Sequence, residues 1–268
     1  MNQIGHRKFI VYAPPLDHKF AGVVMLYLLN DSLNALGESS KIAIYGTTLH
    51  PDDQDAIVIY PEVVHNNPLG AKHVARYLLN KDGLIQKEKI DRSFRQYIFT
   101  FSRMFDESAP VLFFPNFDTE ILNFADNIED RELHSMYFGK GPPLPTQFDG
   151  GKPHLLITRK WPRERDQLLA FLRMSRFLHL SDSITALAIE ALLCGCIPVI
   201  HFWDPNFDAR DYGNSELNEV FQITFEQDFS TANILSKIAS VRQKIIHYQN
   251  EWPNNLRMFV RDVQQFFG

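Results

Sequence analysis

The chain has 268 residues, of which 45% are apolar and 22% are charged, and its net charge at pH 7 is −5. This composition is ordinary for a folded protein, and the length suits one large domain or two compact ones. Without an excess of basic residues, the chain is not expected to bind nucleic acid.

The short apolar runs and the cysteines indicate where the protein resides. The first residues, MNQIGHRK, lack a signal-peptide core, and the apolar runs are too short to span a bilayer. The two cysteines, Cys194 and Cys196, flank one glycine, a poor spacing for a disulfide that favours a reducing compartment. They stand without a metal-ligand cluster in the sequence, so no metal is expected. We therefore expect a soluble, cytoplasmic protein without a transmembrane segment, which leaves peripheral membrane contact and oligomeric state open.

In the first half, short apolar runs alternate with helical patterns. Near-continuous apolar strands between helices indicate a parallel sheet that is buried on both faces. The segment 95–105 is ambiguous. The other predicted elements are strands at 8–13, 41–45, 56–60 and 111–114, and helices at 23–36 and 69–80.

The pattern restarts after a polar, acidic connector at 116–131. The sequence thus predicts an α/β protein with two Rossmann-like domains, residues 1–130 and 131–251. A break at Trp252-Pro253 separates the last two predicted helices. In the second half, the predicted strands are 135–138, 154–158, 177–180, 197–200 and 219–225, and the predicted helices are 163–173, 184–194, 231–250 and 256–267.

The segment 177–201 reads as strand, loop, helix, glycine and strand. Asp182 and Ser183 are predicted to cap the helix, which then begins at Ile184. Free N–H groups and the positive dipole end suit a phosphate there. Glu190 lies about 10 Å further along the same face. A carboxylate in this apolar helix needs a protein donor or a ligand hydroxyl as its partner, and we favour the ribose of a nucleotide.

Two other loops follow predicted strands of the second half. Gly139-Lys140-Gly141 would let the backbone approach a ligand and would add a cation, although for this motif taken alone a tight turn with a solvated lysine is the simpler interpretation. Arg159 and Lys160 suit a diphosphate, with plain surface charge as the alternative. Because parallel strands end at one edge of a sheet, these cations and the helix start are predicted to form one anion site.

The first half offers candidate general bases. Asp17 and His18 lie in the loop after the first strand, and Glu62 follows the third strand. A polar loop with an Asx turn is the alternative interpretation of the first pair. Asn66 and Asn67 come shortly after Glu62, where their amides suit hydrogen bonds to a sugar.

The remaining histidines and tryptophans are given no site. We interpret His50, His73 and His154 as structural or surface residues. Trp161 and Trp203 have rings that suit stacking on a base or a sugar, but core packing is the simpler interpretation. Neither group is placed in the predicted site.

Three segments of the second half also carry a family resemblance. They are YFGKG at 137–141, TRK at 158–160, and SDS at 181–183 followed by IEALLCGCIPVI at 189–200. Together they resemble the nucleotide-sugar donor domain of GT-B glycosyltransferases. The resemblance implies two acidic residues eight positions apart, here Asp182 and Glu190, of which the second binds ribose. Asp182 stands where glutamate is more familiar.

The first half is similar to bacterial polysaccharide-type transferases. The similarity rests on VYAP at 11–14, the loop at Gly22, and IYPEVVHNNPLGA at 59–71. Many relatives have paired glycines near Gly22, where this chain has Ala21-Gly22. The resemblance implies two Rossmann-like domains that face each other across a cleft, with the acceptor near Gly22, Asn66 and Asn67. It also implies that a last helix within 252–268 crosses back onto the first domain.

The resemblance implies a metal-independent, Leloir-type glycosyltransferase of cell-surface polysaccharide biosynthesis. A nucleotide diphosphate-sugar is then a substrate, no cofactor is needed, and the acceptor is a glycan or a lipid-linked glycan. Lys140 and Arg159 would neutralise the leaving diphosphate, together with Ser183 at the helix start. Two alternatives stay open, namely an epimerase or phosphorylase that acts on sugar nucleotides with the same architecture, and a non-catalytic partner subunit.

Overall fold

Residues 6–119, 127–144 and 154–268 are described by a computed structural model. The residues fall into two units, Met1–Phe114 with Asn250–Gly268, and Pro115–Gln249. Each unit contains a parallel sheet with helices, so the predicted α/β class is confirmed. Part of the predicted connector, residues 120–126, lies outside the described residues. Within the described ranges, no helix combines the length and apolar character needed to cross a bilayer.

The first unit is built on a parallel sheet in the order β2-β1-β3-β4-β5. Helix α1 (Ala21–Ala35) connects β1 to β2, and the chain then returns to the other side of β1 to form β3. The strand order therefore reverses between β1 and β3. The strands are β1 (Phe9–Ala13), β2 (Ser40–Ile44), β3 (Ile57–Pro61), β4 (His73–Leu78) and β5 (Gln96–Thr100).

Both faces of this sheet are buried, which explains the continuous apolar runs. In β1, Phe9 and Val11 point to one face, in a cluster with residues of α1 and of the last helix. Ile10 and Tyr12 point to the other face, where loop residues such as Leu69 cover them. Successive strand residues face opposite sides, so a strand buried on both sides is apolar at every position.

The second unit is built on a parallel sheet in the order β7-β6-β8-β9. Here the order reverses between β6 and β8. The last helix begins in this unit, and its residues from Asn250 onward belong to the first unit. The elements are β6 (Leu133–Tyr137), β7 (His154–Ile157), α2 (Arg165–Met174), β8 (Ser175–Leu180), α3 (Ala186–Leu193), β9 (Ile197–Ile200), α4 (Ala209–Gly213), α5 (Glu219–Glu226) and α6 (Thr231–Phe267).

The helix predicted at 69–80 was wrong, because this segment contains β4. Its alanines, arginine and leucines favour a helix locally, but pairing with strands on both sides prevails. Arg76 lies in the middle of β4 and is fully buried. Its guanidinium donates hydrogen bonds to the backbone carbonyls of Val64 and Asn66, which makes burial of the charge tolerable.

Two predicted strands were also wrong. The segment 219–225 forms helix α5, in which Val220 and Ile223 are buried at helical spacing and the helix packs against β9. Its β-branched and aromatic residues favour a strand locally, but packing against β9 stabilises a helix instead. At 111–114, the structure has only an isolated bridge between Thr100 and Val111.

The predicted break at Trp252-Pro253 was wrong as well, since α6 continues through Pro253. A proline inside a helix costs about 3 kcal/mol relative to alanine. Tertiary contacts of Trp252 offset this cost. The indole Nε1 donates a hydrogen bond to Ser32 Oγ at 3.0 Å, and the ring packs 4.8 Å from that of Phe114.

Candidate functional site

Two loops of the second unit meet where its strand order reverses. Gly139-Lys140-Gly141 follows β6, and the segment 181–183 follows β8, the neighbouring parallel strand. In open parallel sheets, ligands bind at such a reversal, outside the carboxyl ends of the strands. The sequence predicted both loops as parts of one site, and the structure brings them together.

The glycines of the first loop allow it to touch the second loop directly. A Cβ on Gly141 would lie 1.6 Å from the Ser181 carbonyl oxygen, and one on Gly139 would lie 2.3 Å from Asp182 Oδ2. Gly139 also has a positive φ of 56°, which favours glycine. The close approach predicted for a ligand is therefore made by the neighbouring loop.

Asp182 and Ser183 were wrongly predicted as helix caps. The N-cap of α3 is Thr185, whose side chain accepts a hydrogen bond from the Leu187 N–H at 3.3 Å. Asp182 instead links the two loops. Its Oδ2 accepts from the Lys140 N–H at 3.1 Å, and its Oδ1 accepts from the N–H of Ile184, which lies before the helix.

Ser183 is buried and forms one side of a polar and aromatic network. Its hydroxyl bonds to the Tyr212 hydroxyl at 2.8 Å and accepts from the Asp204 N–H at 3.2 Å. The Tyr212 ring packs edge-on against Trp203, at 4.7 Å between centroids. Burial raises the pKa of Tyr212, so its hydroxyl stays protonated and available as a donor. A small pocket lined partly by Tyr212 and Phe225 adjoins this network.

The predicted cations lie at the same edge of the sheet. Arg159 and Lys160 occupy a tight turn after β7, which the Thr158 N–H closes by donating to the Trp161 carbonyl at 2.7 Å. Their side chains, like that of Lys140, are exposed. Because β7 neighbours β6 in a parallel sheet, all these side chains follow carboxyl ends of adjacent strands.

Glu190 has a protein partner. Its side chain is only 13% exposed, and its Oε1 lies 3.0 Å from Nη1 of Arg165, the first residue of α2. Burial raises the pKa of Glu190, and the Arg165 charge opposes this effect. The first of the two predicted partners, a protein donor, is thus present, and the ribose contact stays a prediction.

In the first unit, the candidate bases follow adjacent strands where that sheet's order reverses. Asp17 forms the Asx turn that we considered as its alternative, with Oδ1 accepting from the Lys19 N–H at 2.9 Å, and both Asp17 and His18 are exposed. Glu62 is buried and accepts from the Leu79 N–H at 2.9 Å. Burial raises the pKa of Tyr45 to about 12, and the nearby Glu62 charge adds to this shift.

The two predicted acceptor-binding asparagines differ. The Asn67 amide holds its own loop, because Oδ1 accepts from Tyr60 Oη at 2.8 Å and from the Ala71 N–H at 2.9 Å, while Nδ2 donates to the Ala71 carbonyl. Asn66 is exposed, has a positive φ of 55° and offers its carbonyl to Arg76. Asn66 therefore keeps its side chain available for a ligand, whereas that of Asn67 supports the loop.

Gly22, the other predicted acceptor-binding residue, is the second residue of α1. A Cβ there would lie 3.7 Å from Leu79 Cδ1, an ordinary contact. Gly22→Ala should therefore leave stability unchanged or raise it by up to about 1 kcal/mol, since alanine favours helices. Urea denaturation checks this.

Gly70→Ala is the matched control for Gly22→Ala. No described atom lies within 4 Å of a Cβ at Gly70, but its φ is 61°, so this variant should lose about 1 kcal/mol through backbone strain alone. Equal losses in the two variants would mean that Gly22 is constrained for a reason other than space.

A group of histidines in the second unit is not predicted by the sequence. His134 Nδ1 lies 2.9 Å from His179 Nε2, and His179 Nδ1 lies 2.9 Å from His201 Nε2. His154, which we interpreted as structural or surface, has a ring centroid 5.6 Å from those of His134 and His179. Burial, helped by the neighbouring histidines, lowers the pKa of His179 to about 3, so this ring is neutral at pH 7. Strand order and register bring these histidines together, and no spacing along the sequence indicates it.

No model of a protein family matches this chain, and neither does any curated protein or solved structure. Function must therefore be inferred from the site residues themselves.

Proposed function

We propose that this chain is a metal-independent GT-B glycosyltransferase, which moves a sugar from a nucleotide diphosphate-sugar to a glycan or lipid-linked acceptor. One observation carries the proposal. The loops predicted to bind phosphate follow β6 and β8, at the reversal of strand order, and they contact each other through Asp182. That position is where open parallel sheets bind nucleotides.

The donor would bind at the carboxyl edge of the second sheet. The exposed side chains of Lys140, Arg159 and Lys160 would face the diphosphate and stabilise the negative charge that grows on it as the glycosidic bond breaks. Glu190 would accept a hydrogen bond from a ribose hydroxyl while it keeps its ion pair with Arg165. Such pre-placed cations supply the charge neutralisation that a metal ion supplies elsewhere.

The acceptor would bind at the corresponding edge of the first sheet. Glu62 suits the role of general base better than Asp17, because its carboxylate is buried and fixed by the Leu79 N–H, whereas Asp17 lies in an exposed turn. In an inverting reaction, Glu62 would take the proton of the attacking hydroxyl. In the proposed GT-B arrangement, the two units face each other across a cleft and closure excludes water from the donor.

Thermal-shift measurements with UDP-, GDP-, CMP- and dTDP-sugars test the donor site. We expect one nucleotide to raise the melting temperature, and Lys140→Met to weaken its binding about tenfold through loss of a charged hydrogen bond. Lys89→Met, which changes an exposed lysine of the first unit, should bind like the unmodified protein. Stabilisation by none of these nucleotides would refute the proposal.

The ribose contact needs a control for the ion pair. Glu190→Ala and Arg165→Ala both remove the pair, but only the first removes the acceptor for a ribose hydroxyl. Loss of nucleotide binding in Glu190→Ala alone would support the assignment, and equal binding in both variants would exclude it.

Product analysis with and without an acceptor then separates transfer from epimerisation, and the absence of any product would favour a non-catalytic subunit.

A further inference from the structure

Four histidines of the second unit form a row across one face of its sheet. His134 on β6 is the register partner of His154 on β7. His179 on β8 lies two residues beyond Phe177, the partner of His134, and therefore points to the same face. His201 follows β9 and lies two residues beyond Val199, the partner of His179.

The row is buried at its centre. His134 is 3% exposed and His179 is 6% exposed, while His154 is half-buried and His201 is exposed. One ring nitrogen from each of His134, His154 and His179 lies within 4.8 Å of the other two. Among the described residues, this is the group whose donor atoms converge closely enough for one metal ion.

These distances suit a tetrahedral ion. With Zn–N bonds of about 2.0 Å, tetrahedral ligand nitrogens lie about 3.3 Å apart. This value falls between the 2.9 Å that separates the His134 and His179 nitrogens and the 4.8 Å limit for the whole group. Small rotations of the three rings would bring the nitrogens to bonding distance. Neutral imidazoles are also preferred ligands of zinc and of neighbouring first-row metals.

We propose that His134, His154 and His179 bind a divalent first-row transition ion such as Zn²⁺, with water in the fourth position. His179 would bind through Nε2, since its Nδ1 faces His201 at 2.9 Å. His201 would then be a positioning residue that holds the His179 ring in orientation, as hydrogen-bond partners of metal-bound histidines do. The ion would tie together β6, β7 and β8.

This metal site is separate from the proposed donor site. Its ligands project from the strands themselves, whereas the proposed diphosphate contacts lie in the loops after them. The ion would stabilise the sheet and would take no part in sugar transfer. Absence of metal binding would therefore leave the proposed function untouched, and absence of nucleotide binding would leave the metal site untouched.

Cobalt titration of the full-length, chelator-treated protein tests the proposal. We expect one equivalent of Co²⁺ to bind with the intense visible absorption of tetrahedral cobalt, Zn²⁺ to displace it, and Zn²⁺ to raise the melting temperature. A titration without a saturable one-to-one phase would overturn the proposal.

Variants then locate the bound ion. His154→Gln, on half-buried β7, should abolish the tetrahedral absorption, and His201→Gln should weaken affinity about 10- to 100-fold while the spectrum stays tetrahedral. His247→Gln is the matched control, since this histidine is exposed on α6. Circular dichroism verifies folding. A folded His154→Gln that binds Co²⁺ as tightly as the control would overturn the ligand assignment, and the titration of the unmodified protein decides the case if that variant does not fold.

Discussion

Gly141→Ala should destabilise the protein by about 3 kcal/mol, a large loss for one added methyl group. The new Cβ would lie 1.6 Å from the carbonyl oxygen of Ser181 and 2.4 Å from its carbonyl carbon. Both atoms are backbone, so no side-chain rotation can relieve the collision. The loops after β6 and β8 must separate, which weakens the hydrogen bond from Lys140 N–H to Asp182.

Urea denaturation of three variants tests this expectation. Gly213→Ala is the matched control, because no described atom lies within 4 Å of a Cβ at that position. Since Gly213 is the last residue of α4, this variant should be as stable as the unmodified protein or more stable by up to about 1 kcal/mol. The new Cβ would also lie 2.5 Å from Ser181 Oγ, but adding Ser181→Ala to Gly141→Ala should not restore the stability, since the collision with the main chain remains. If Gly141→Ala were as stable as Gly213→Ala, the two loops could not be in contact as described.

The segment 177–201 shows how far local rules reach. Its predicted strands end where β8 and β9 end, and α3 lies inside the predicted helix. The ends of these elements are set by residues close by in the chain, because polar residues and glycine bound each apolar run. The sequence alone therefore suffices to place them. The reversal of strand order is different, because it depends on which strands pair.

Where long-range partners decide, the sequence was insufficient. Asp182 and Ser183 satisfy the local rules for helix caps, yet Asp182 turns to Lys140 and Ser183 turns to Tyr212. Similarly, α5 is composed of good strand formers, but packing against β9 makes it a helix. Local propensities amount to tenths of a kcal/mol per residue, and tertiary contacts readily exceed their sum over a short segment.

The histidine row is the clearest example of this limit. His134, His154 and His179 are far apart in the chain and carry no ligand spacing of the kind found in metal-binding loops. They become neighbours only when the order β7-β6-β8 and its register are known. Residues that share a sheet face are thus a source of sites that spacing along the sequence does not reveal.

Acidification should destabilise the metal-free protein through this row. The pKa of His179 is about 3 in the folded state, against an ordinary value of 6.5, because burial and the neighbouring His201, His134 and His154 disfavour the charged form. Between these two values, the unfolded chain binds a proton that the folded chain does not. The contribution of His179 to the free energy of unfolding is therefore complete above about pH 6.5 and is lost as the pH falls towards 3.

The loss of stability that His179 causes can be measured between pH 7 and pH 5.5, because few carboxylates titrate in this range. Between pH 7 and pH 5.5, protonation of the unfolded chain at His179 alone should lower the free energy of unfolding by about 1 kcal/mol, and the full loss towards pH 3 is roughly 3–5 kcal/mol. Urea denaturation at the two upper pH values gives this difference. His179→Gln should reduce it by about 1 kcal/mol, whereas His247→Gln, which changes an exposed histidine, should retain it. An unchanged difference in His179→Gln would mean that folding does not lower the pKa of this ring.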